Sequence, residues 1–353
     1  MNTNKTRLSL LTIALLVIAS CSKDNTPASV APDKAKLTFS SVNTDLASEV
    51  GGLNSAPGNV ALSSFSSLNN TTSPFGRITS YKNPGDIRVG ARKGLAAVRQ
   101  MLVKTTSGKR EQDNVAFNFA QKVGTYAWDN VNQEWDYTSG GTIIKIDYPK
   151  DADNHPDIND AELQISAYDE TVIGSDYYPT NIQAAIYISQ VKELGLGLTA
   201  GYDGDGIPNQ GTISLFVNPY TISLGFDDSQ PVSGTESFGF SKSNKVLIEM
   251  SFTASYASAL DKENNNPPSA VTGHLTLENI RFDLTENGAN EGTATSYNDF
   301  IVIVVTIDGG VAGHVVWVGD QGDEQPYIKY NNNDTDPLET VFADLKEQVD
   351  ALG

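Results

Sequence analysis

Ile182-Gln183-Ala184-Ala185-Ile186-Tyr187-Ile188-Ser189, followed by Leu194-Gly195-Leu196-Gly197-Leu198-Thr199-Ala200-Gly201-Tyr202, decides the fold. In the first run Ile182, Ala184, Ile186 and Ile188 share one face, opposed by Gln183, Ala185, Tyr187 and Ser189. In the second, Leu194, Leu196, Leu198, Ala200 and Tyr202 alternate with three glycines and Thr199. A period of two with one apolar face belongs to a half-buried β-strand, and strict alternation marks antiparallel sheet. Gln190 to Glu193 leaves room only for a short turn, so the two strands are expected to pair as neighbours.

The same period continues outward. Ile213, Leu215 and Val217 lead through Asn218-Pro219 into Tyr220, Ile222, Leu224 and Phe226. Phe238 and Phe240 precede Val246, Ile248, Met250, Phe252, Ala254 and Tyr256. In Leu275, Leu277, Ile280, Phe282 and Leu284 the parity slips at Glu278-Asn279, which predicts a bulge or a sharp bend. Phe300 to Ile307 is apolar on both faces, as a central strand covered on both sides would be. Asp308-Gly309-Gly310 reads as a hairpin turn returning through Val311 to Gly319. Upstream, Tyr126 to Trp128, the turn Asp129 to Gln133, and Glu134 to Tyr137 read as strand, turn, strand, with further strands at Thr142 to Tyr148 and Leu163 to Tyr168. The expected fold class is mainly β: an antiparallel meander sheet over 116–335, as a sandwich or a curled half-barrel.

A C-terminal amphipathic helix over 336–353 completes it. Asp336-Pro337-Leu338-Glu339 supplies an N-cap, a proline at the first helical position and a capping-box glutamate. Leu338, Val341, Phe342, Leu345, Val349 and Leu352 form a stripe expected to cover the sheet near Phe300.

The N-terminal part differs in kind. Lys5 and Arg7 precede an apolar run from Leu8 to Ala19, short of the roughly 20 residues that span a bilayer. With Ala19 and Ser20 at its exit, residues 1–20 read as a signal peptide. The sole cysteine follows, Cys21, which excludes an internal disulfide. Residues 21–36 are rich in Ser, Asn, Pro, Ala and Lys and read as a tether. Over 37–115 the segment is helical or irregular and basic, with helical trios at Leu46, Val50, Leu53 and at Leu62, Phe65, Leu68 interrupted by Gly51-Gly52 and Pro57-Gly58.

Ile18-Ala19-Ser20-Cys21 resembles a bacterial lipobox, and Ser22-Lys23-Asp24-Asn25 resembles the surface-export signal of Bacteroidota-type lipoproteins. The resemblance implies cleavage before Cys21, acyl chains on the new amino terminus, and an outer-membrane lipoprotein held by that anchor. It faces the cell surface or, alternatively, the periplasm. Gly124-Thr125-Tyr126, Trp128 and Trp135, running into Ile143 to Tyr148, are similar to a segment of uncharacterised bacterial lipoproteins, which implies an architecture and no activity.

Charge is unevenly spread. The chain carries a net −19, yet residues 77–110 hold nine Lys or Arg against Asp86, and from Glu111 onward ten basic residues face 38 acidic ones. Ala91, Leu95, Val98 and Leu102 make the basic stretch an amphipathic helix, expected to dock on the chain's own acidic part or on anionic lipid. An exported chain this acidic repels nucleic acid, so no nucleic-acid partner is expected.

The chemistry of catalysis is thinly represented. His155, His274 and His314 are the only histidines, and there is no Gly-x-Ser-x-Gly elbow, no His-Glu-x-x-His and no phosphate loop. Asp203-Gly204-Asp205-Gly206-Ile207-Pro208-Asn209 resembles an extracellular calcium loop, with Asp203, Asp205 and Asn209 at oxygen-donor positions. Ser214 stands where such a loop places its bidentate glutamate. A plain hairpin loop is the alternative there, and a solvated loop the expectation for Asp147, Asp151, Asp153, Asp157 and Asp160. Tyr126, Trp128, Trp135 and Tyr137 form the candidate recognition surface, since aligned rings stack on sugars; the alternative is that they are core or cross-strand pairs. Three functions remain open: a binding protein for a glycan or another macromolecule such as an envelope protein, a carrier of lipid in a cavity lined by Leu194, Leu196 and Leu198, or a structural envelope component.

Overall fold

The computed structural model describes residues 28–53, 56–58, 61, 64–65, 116–264, 266–288, 294–320 and 323–350. Among them sixteen strands belong to one sheet. They are β1 Gly124–Asp129, β2 Glu134–Ser139, β3 Ile144–Tyr148, β4 Ala161–Ile173, β5 Asp176–Ile188, β6 Val191–Tyr202, β7 Pro208–Val217 and β8 Tyr220–Asp227. The others are β9 Ser233–Lys242, β10 Lys245–Ser255, β11 Ala270–Leu277, β12 Ile280–Asn287, β13 Ile301–Ile307, β14 Gly310–Val318, β15 Gln325–Tyr330 and β16 Thr335–Pro337. From β16 down to β3 each strand neighbours the next in sequence, the meander that the alternation predicts.

Turn chemistry explains why neighbours pair. Ser189-Gln190, Ser243-Asn244 and Asp308-Gly309 each place two consecutive residues at positive φ. That conformation gives a two-residue hairpin the twist its flanking strands require. Glu278-Asn279 is also a two-residue junction, with Glu278 at positive φ: Leu277 pairs with Ile280 across it, so the parity slip is a chain reversal, the sharp bend rather than the bulge of the two alternatives.

The other end of the sheet departs from a pure meander. β3 pairs with β1 in parallel, Gly124 opposite Ile144, and β2 lies outside β1 at the edge. Alternation is blind to strand direction, and burial decides the order: Ile144, Ile146 and Tyr148 are fully enclosed, as a strand between two neighbours must be.

Contacts divide the chain into two compact units, Ser55–Ile222 and Met1–Asn54 with Ser223–Gly353. In the first, the described residues 56–58, 61 and 64–65, helical at 57–58, 61 and 64–65, cover the inner face. Phe65 lies 5.3 Å from Tyr148, and Ser64 Oγ donates to Pro149 O at 2.6 Å and accepts from Ala152 N at 3.0 Å. A Cβ on Gly58 would sit 2.8 Å from both Glu193 O and Leu194 Cγ, so this approach requires glycine.

In the second unit the helix Pro32–Gly52 begins inside the stretch expected to be tether and buries Ala35, Phe39, Val42, Leu46 and Val50 on one stripe. Just before it the chain is pinned to β14: Val30 N donates to Val311 O at 2.8 Å and Val311 N to Ala28 O at 2.9 Å. Phe39 meets Tyr330 and Phe342 edge-on at 6.2 and 6.0 Å, and Phe342 in turn meets Phe282. β13 buries Ile301, Ile303, Val305 and Ile307, while Val302, Val304 and Thr306 opposite are half-buried, so it is covered fully on one face only.

The C-terminal helix is a correction. Asp336 and Pro337 do not cap it; they pair with Ile328 and Tyr327 as β16, an edge position that tolerates proline's missing N–H. The helix comes in two pieces, Leu338–Val341 and Ala343–Asp350, and the second is capped by a residue far away in sequence. Asn43 Oδ1 accepts from Leu345 N at 3.0 Å, and its Nδ2 donates to Asp344 at 2.9 Å. Of the expected stripe Leu338 and Phe342 are buried and Val349 is exposed: Leu338–Val341 sits against β15 and β16 and Phe342 meets Phe282, whereas Ala343–Asp350 lies on the helix Pro32–Gly52.

Candidate functional site

The outer face of β4 to β7 carries an open groove of about 370 Å³. Register builds it in rows. Gln164, Ala185, Gly195 and Phe216 lie opposite one another across the four strands, then Gln183, Gly197 and Ser214, then Asn181, Thr199 and Thr212. Behind these rows, on the inner face, Ile182, Ile186, Leu194 and Leu198 are buried. Glycines at 195 and 197 therefore remove the floor's side chains where its neighbours are polar.

Those neighbours fold into the space. A Cβ at 195 would lie 2.5 Å from Lys192 Cε, and one at 197 would lie 3.3 Å from Gln183 Oε1. Lys192 thus runs its stem across Gly195 and sets its ammonium 5.2 Å over the Phe216 ring. Simple alternation would put Lys192 on the leucine face with Leu194. A register shift, with Tyr187 opposite Lys192 but Ile186 opposite Leu194, leaves Glu193 as the extra residue and turns Lys192 outward. Thr199 and Thr212 share a hydrogen bond of 2.7 Å between their hydroxyls, and both remain exposed.

At the groove's β4 side Gln164 donates to Glu162, which is also ion-paired with Lys145. Burial works against the Glu162 charge, but the Gln164 amide and Lys145 outweigh it and hold its carboxyl below the ordinary range. Amides, hydroxyls, one cation and the Phe216 and Tyr187 rings over a glycine floor make a surface that can bind hydroxyl groups and an apolar ring face together.

The aromatic hairpin is placed differently from the platform envisaged. Alternation does put Tyr126 and Trp128 on one face, and that face is the buried one, at 8% and 5% exposure. They form cross-strand pairs, Tyr126 with Tyr137 at 4.8 Å and Trp128 with Trp135 at 5.1 Å. Tyr126 OH donates to Lys122 O at 3.0 Å and Tyr137 OH to Val123 O at 2.8 Å, which ties the hydroxyls to the backbone. Tyr137, half exposed, is the most accessible of the four.

Burial, with Tyr137 second, pushes the Tyr126 phenol up to about 12, and burial, with Tyr178 second, does the same for Tyr202. Tyr148 and Tyr330 are raised as well, by burial foremost. Since the unfolded phenol titrates near 10.0 and the folded one later, the folded state holds more protons between those values. Stability is therefore expected to be intact below about pH 10 and to fall as pH rises through 12. A titration followed at 295 nm against circular dichroism should show these phenols ionising only as the fold is lost; full ionisation near pH 10 with the fold intact would refute the burial argument.

The Asp203 loop closes on itself. Asp203 Oδ1 accepts from Asp205 N at 3.0 Å and Ile207 N at 2.8 Å, and Gly206 takes a φ of +74° to complete the turn. Asn209 is the residue left over where the pairing of β6 and β7 slips, and its Oδ1 is buried without a partner. Among the described residues no three His, Cys, Asp or Glu side chains are grouped to hold a metal. In the second acidic cluster, Asp151 accepts from Asn154, Asp157 from Asn130, and Asp160 pairs with Lys150. His274 lies on β11, where burial first and Arg281 second lower its pKa, and His314 is exposed on β14. Cys21 and the basic stretch 77–110 lie outside the described residues.

The chain has no significant match among protein-family models, curated proteins or solved structures. Of the groove residues, Gln183, Tyr187 and the Gly195–Gly197–Thr199 face were visible as the polar side of the alternation. Lys192 and Phe216 were not, because only the register brings them together.

Proposed function

We propose that this chain is a lipid-anchored protein of the cell envelope, held in the outer membrane through Cys21 and displayed at the surface, and that it binds a glycan in the groove of β4 to β7. The groove is the observation that carries the reading. Its polar groups come from strands on a sheet whose other face is packed, so they are held in place before any ligand arrives. Its lining side chains include no carboxylate pair and no nucleophile with a base, so the chemistry it supports is recognition. The lipobox resemblance, the acidic body and the Lys23-Asp24 export signal support the location.

Filling the groove tests the site without weakening the strand. Gly197→Val places a β-branched side chain on the floor, where its Cβ meets the movable Gln183 amide, in a setting that favours such residues. Binding to immobilised polysaccharides is expected to fall about tenfold or more, with the thermal midpoint unchanged or raised. Undiminished binding by Gly197→Val would remove the groove from consideration.

A further inference from the structure

We infer that the groove selects glycans bearing a carboxylate, with Lys192 as the group that receives it. This rests on the glycan reading above and names the ligand class of the same site. Lys192 is the one charged side chain among the residues lining the groove, in a chain where 43 acidic residues outnumber 24 basic ones.

Its position is built rather than incidental. The slip at Glu193 turns it to the groove face, the missing Cβ of Gly195 gives its stem a path, and the Phe216 ring receives its ammonium. Among the described residues it has no carboxylate within ion-pair distance, unlike Lys145, Lys150, Lys242, Lys245, Lys262 and Lys346.

The acidic groups nearby are already engaged. Glu162, two strands away in the row through Tyr187, is held by Lys145 and Gln164. Asp147 opposite Glu162 is half-buried, and desolvation raises its pKa with Lys145 opposing. At the far end Asp169 accepts from Asn181. The remaining acidity of the body is damped over a screening length of about 8 Å at physiological salt, so a ligand in contact with Lys192 meets a positive charge first. Thr199, Thr212 and Gln183 are then left for ring hydroxyls, and the fit is to an acidic sugar rather than a bare anion.

The test pairs two probes of one backbone: oligogalacturonate and its methyl ester, in which the same carboxyl group is charged in one and capped in the other. With the full chain in detergent, calorimetry at physiological salt, where the rest of the acidic body is screened, is expected to give about fivefold or more tighter binding of the acid, a preference that shrinks at higher salt. Lys192→Gln should erase the preference, so that acid and ester bind alike, and Lys192→Arg should restore most of it. A preference that survives Lys192→Gln, or equal binding of acid and ester by the native chain, would overturn the inference while leaving glycan binding standing. Dextran sulfate bound as tightly as oligogalacturonate would overturn carboxylate selection in favour of any anion. Binding of neither sugar by the native chain would overturn the glycan reading itself.

Discussion

Phe39→Ala lowers the unfolding free energy by about 3–5 kcal/mol, the range for deleting a fully packed aromatic ring. Phe39 is 1% exposed on the helix Pro32–Gly52, and its ring meets two others, Tyr330 from β15 and Phe342 from the C-terminal segment. Three separate elements converge on that ring, so none can move into the space without losing contacts elsewhere, which places the cost high in the range. A domain with a total stability of roughly 5–15 kcal/mol would lose a large share of it. Leu37, two residues away and 73% exposed, supplies the control: Leu37→Ala should change stability by less than about 0.5 kcal/mol. Urea unfolding decides the matter. Equal midpoints for the two variants would mean that the helix is not part of the folded core.

Cys21→Ala is expected to abolish acylation and to leave the precursor unprocessed at that site. The lipobox resemblance assigns several acyl chains to this one residue. At about 0.8 kcal/mol for each buried methylene, more than one chain anchors a protein stably where a single chain does not. Among the described residues no helix is long and apolar enough to cross a membrane, so no other helical span offers a substitute there. Labelling with radioactive palmitate and the size of the precursor read the outcome directly. Unchanged labelling in Cys21→Ala would show that the fatty acid is attached elsewhere and that the anchor has been misplaced.

Much of the sheet could be read from the sequence because its determinants are local. The alternation of Ile182 to Tyr202 and turns such as Asp308-Gly309 depend on residues within a few positions of each other. What was hidden depends on register or on distant partners. Val246 was assigned to the apolar face with Ile248, yet an irregularity between them exposes Val246 and buries Leu247. Asp336-Pro337 has the sequence of a helix start, but pairing with β15 takes those residues for a strand, and the helix gets its cap from Asn43 instead. Of the helix from Pro32, the turn at Leu46 and Val50 was legible as a helical trio, whereas its start was concealed by residues such as Thr38, Ser40 and Ser41. Thr38 Oγ1 donating back to Lys34 O shows how such residues are accommodated within it. The groove falls between these cases: its glycine floor is in the alternation, whereas its cation arrives through one extra residue at Glu193.

The pinning of Ala28 and Val30 to Val311 sets how far the body can stray from its mooring. Between Cys21 and Ala28 lie only seven peptide links, and at about 3.3–3.6 Å for each the greatest possible reach is about 25 Å. That is less than the length of an ordinary domain, so a chain acylated at Cys21 rides against the lipid as a hull does, with no stalk to lift it.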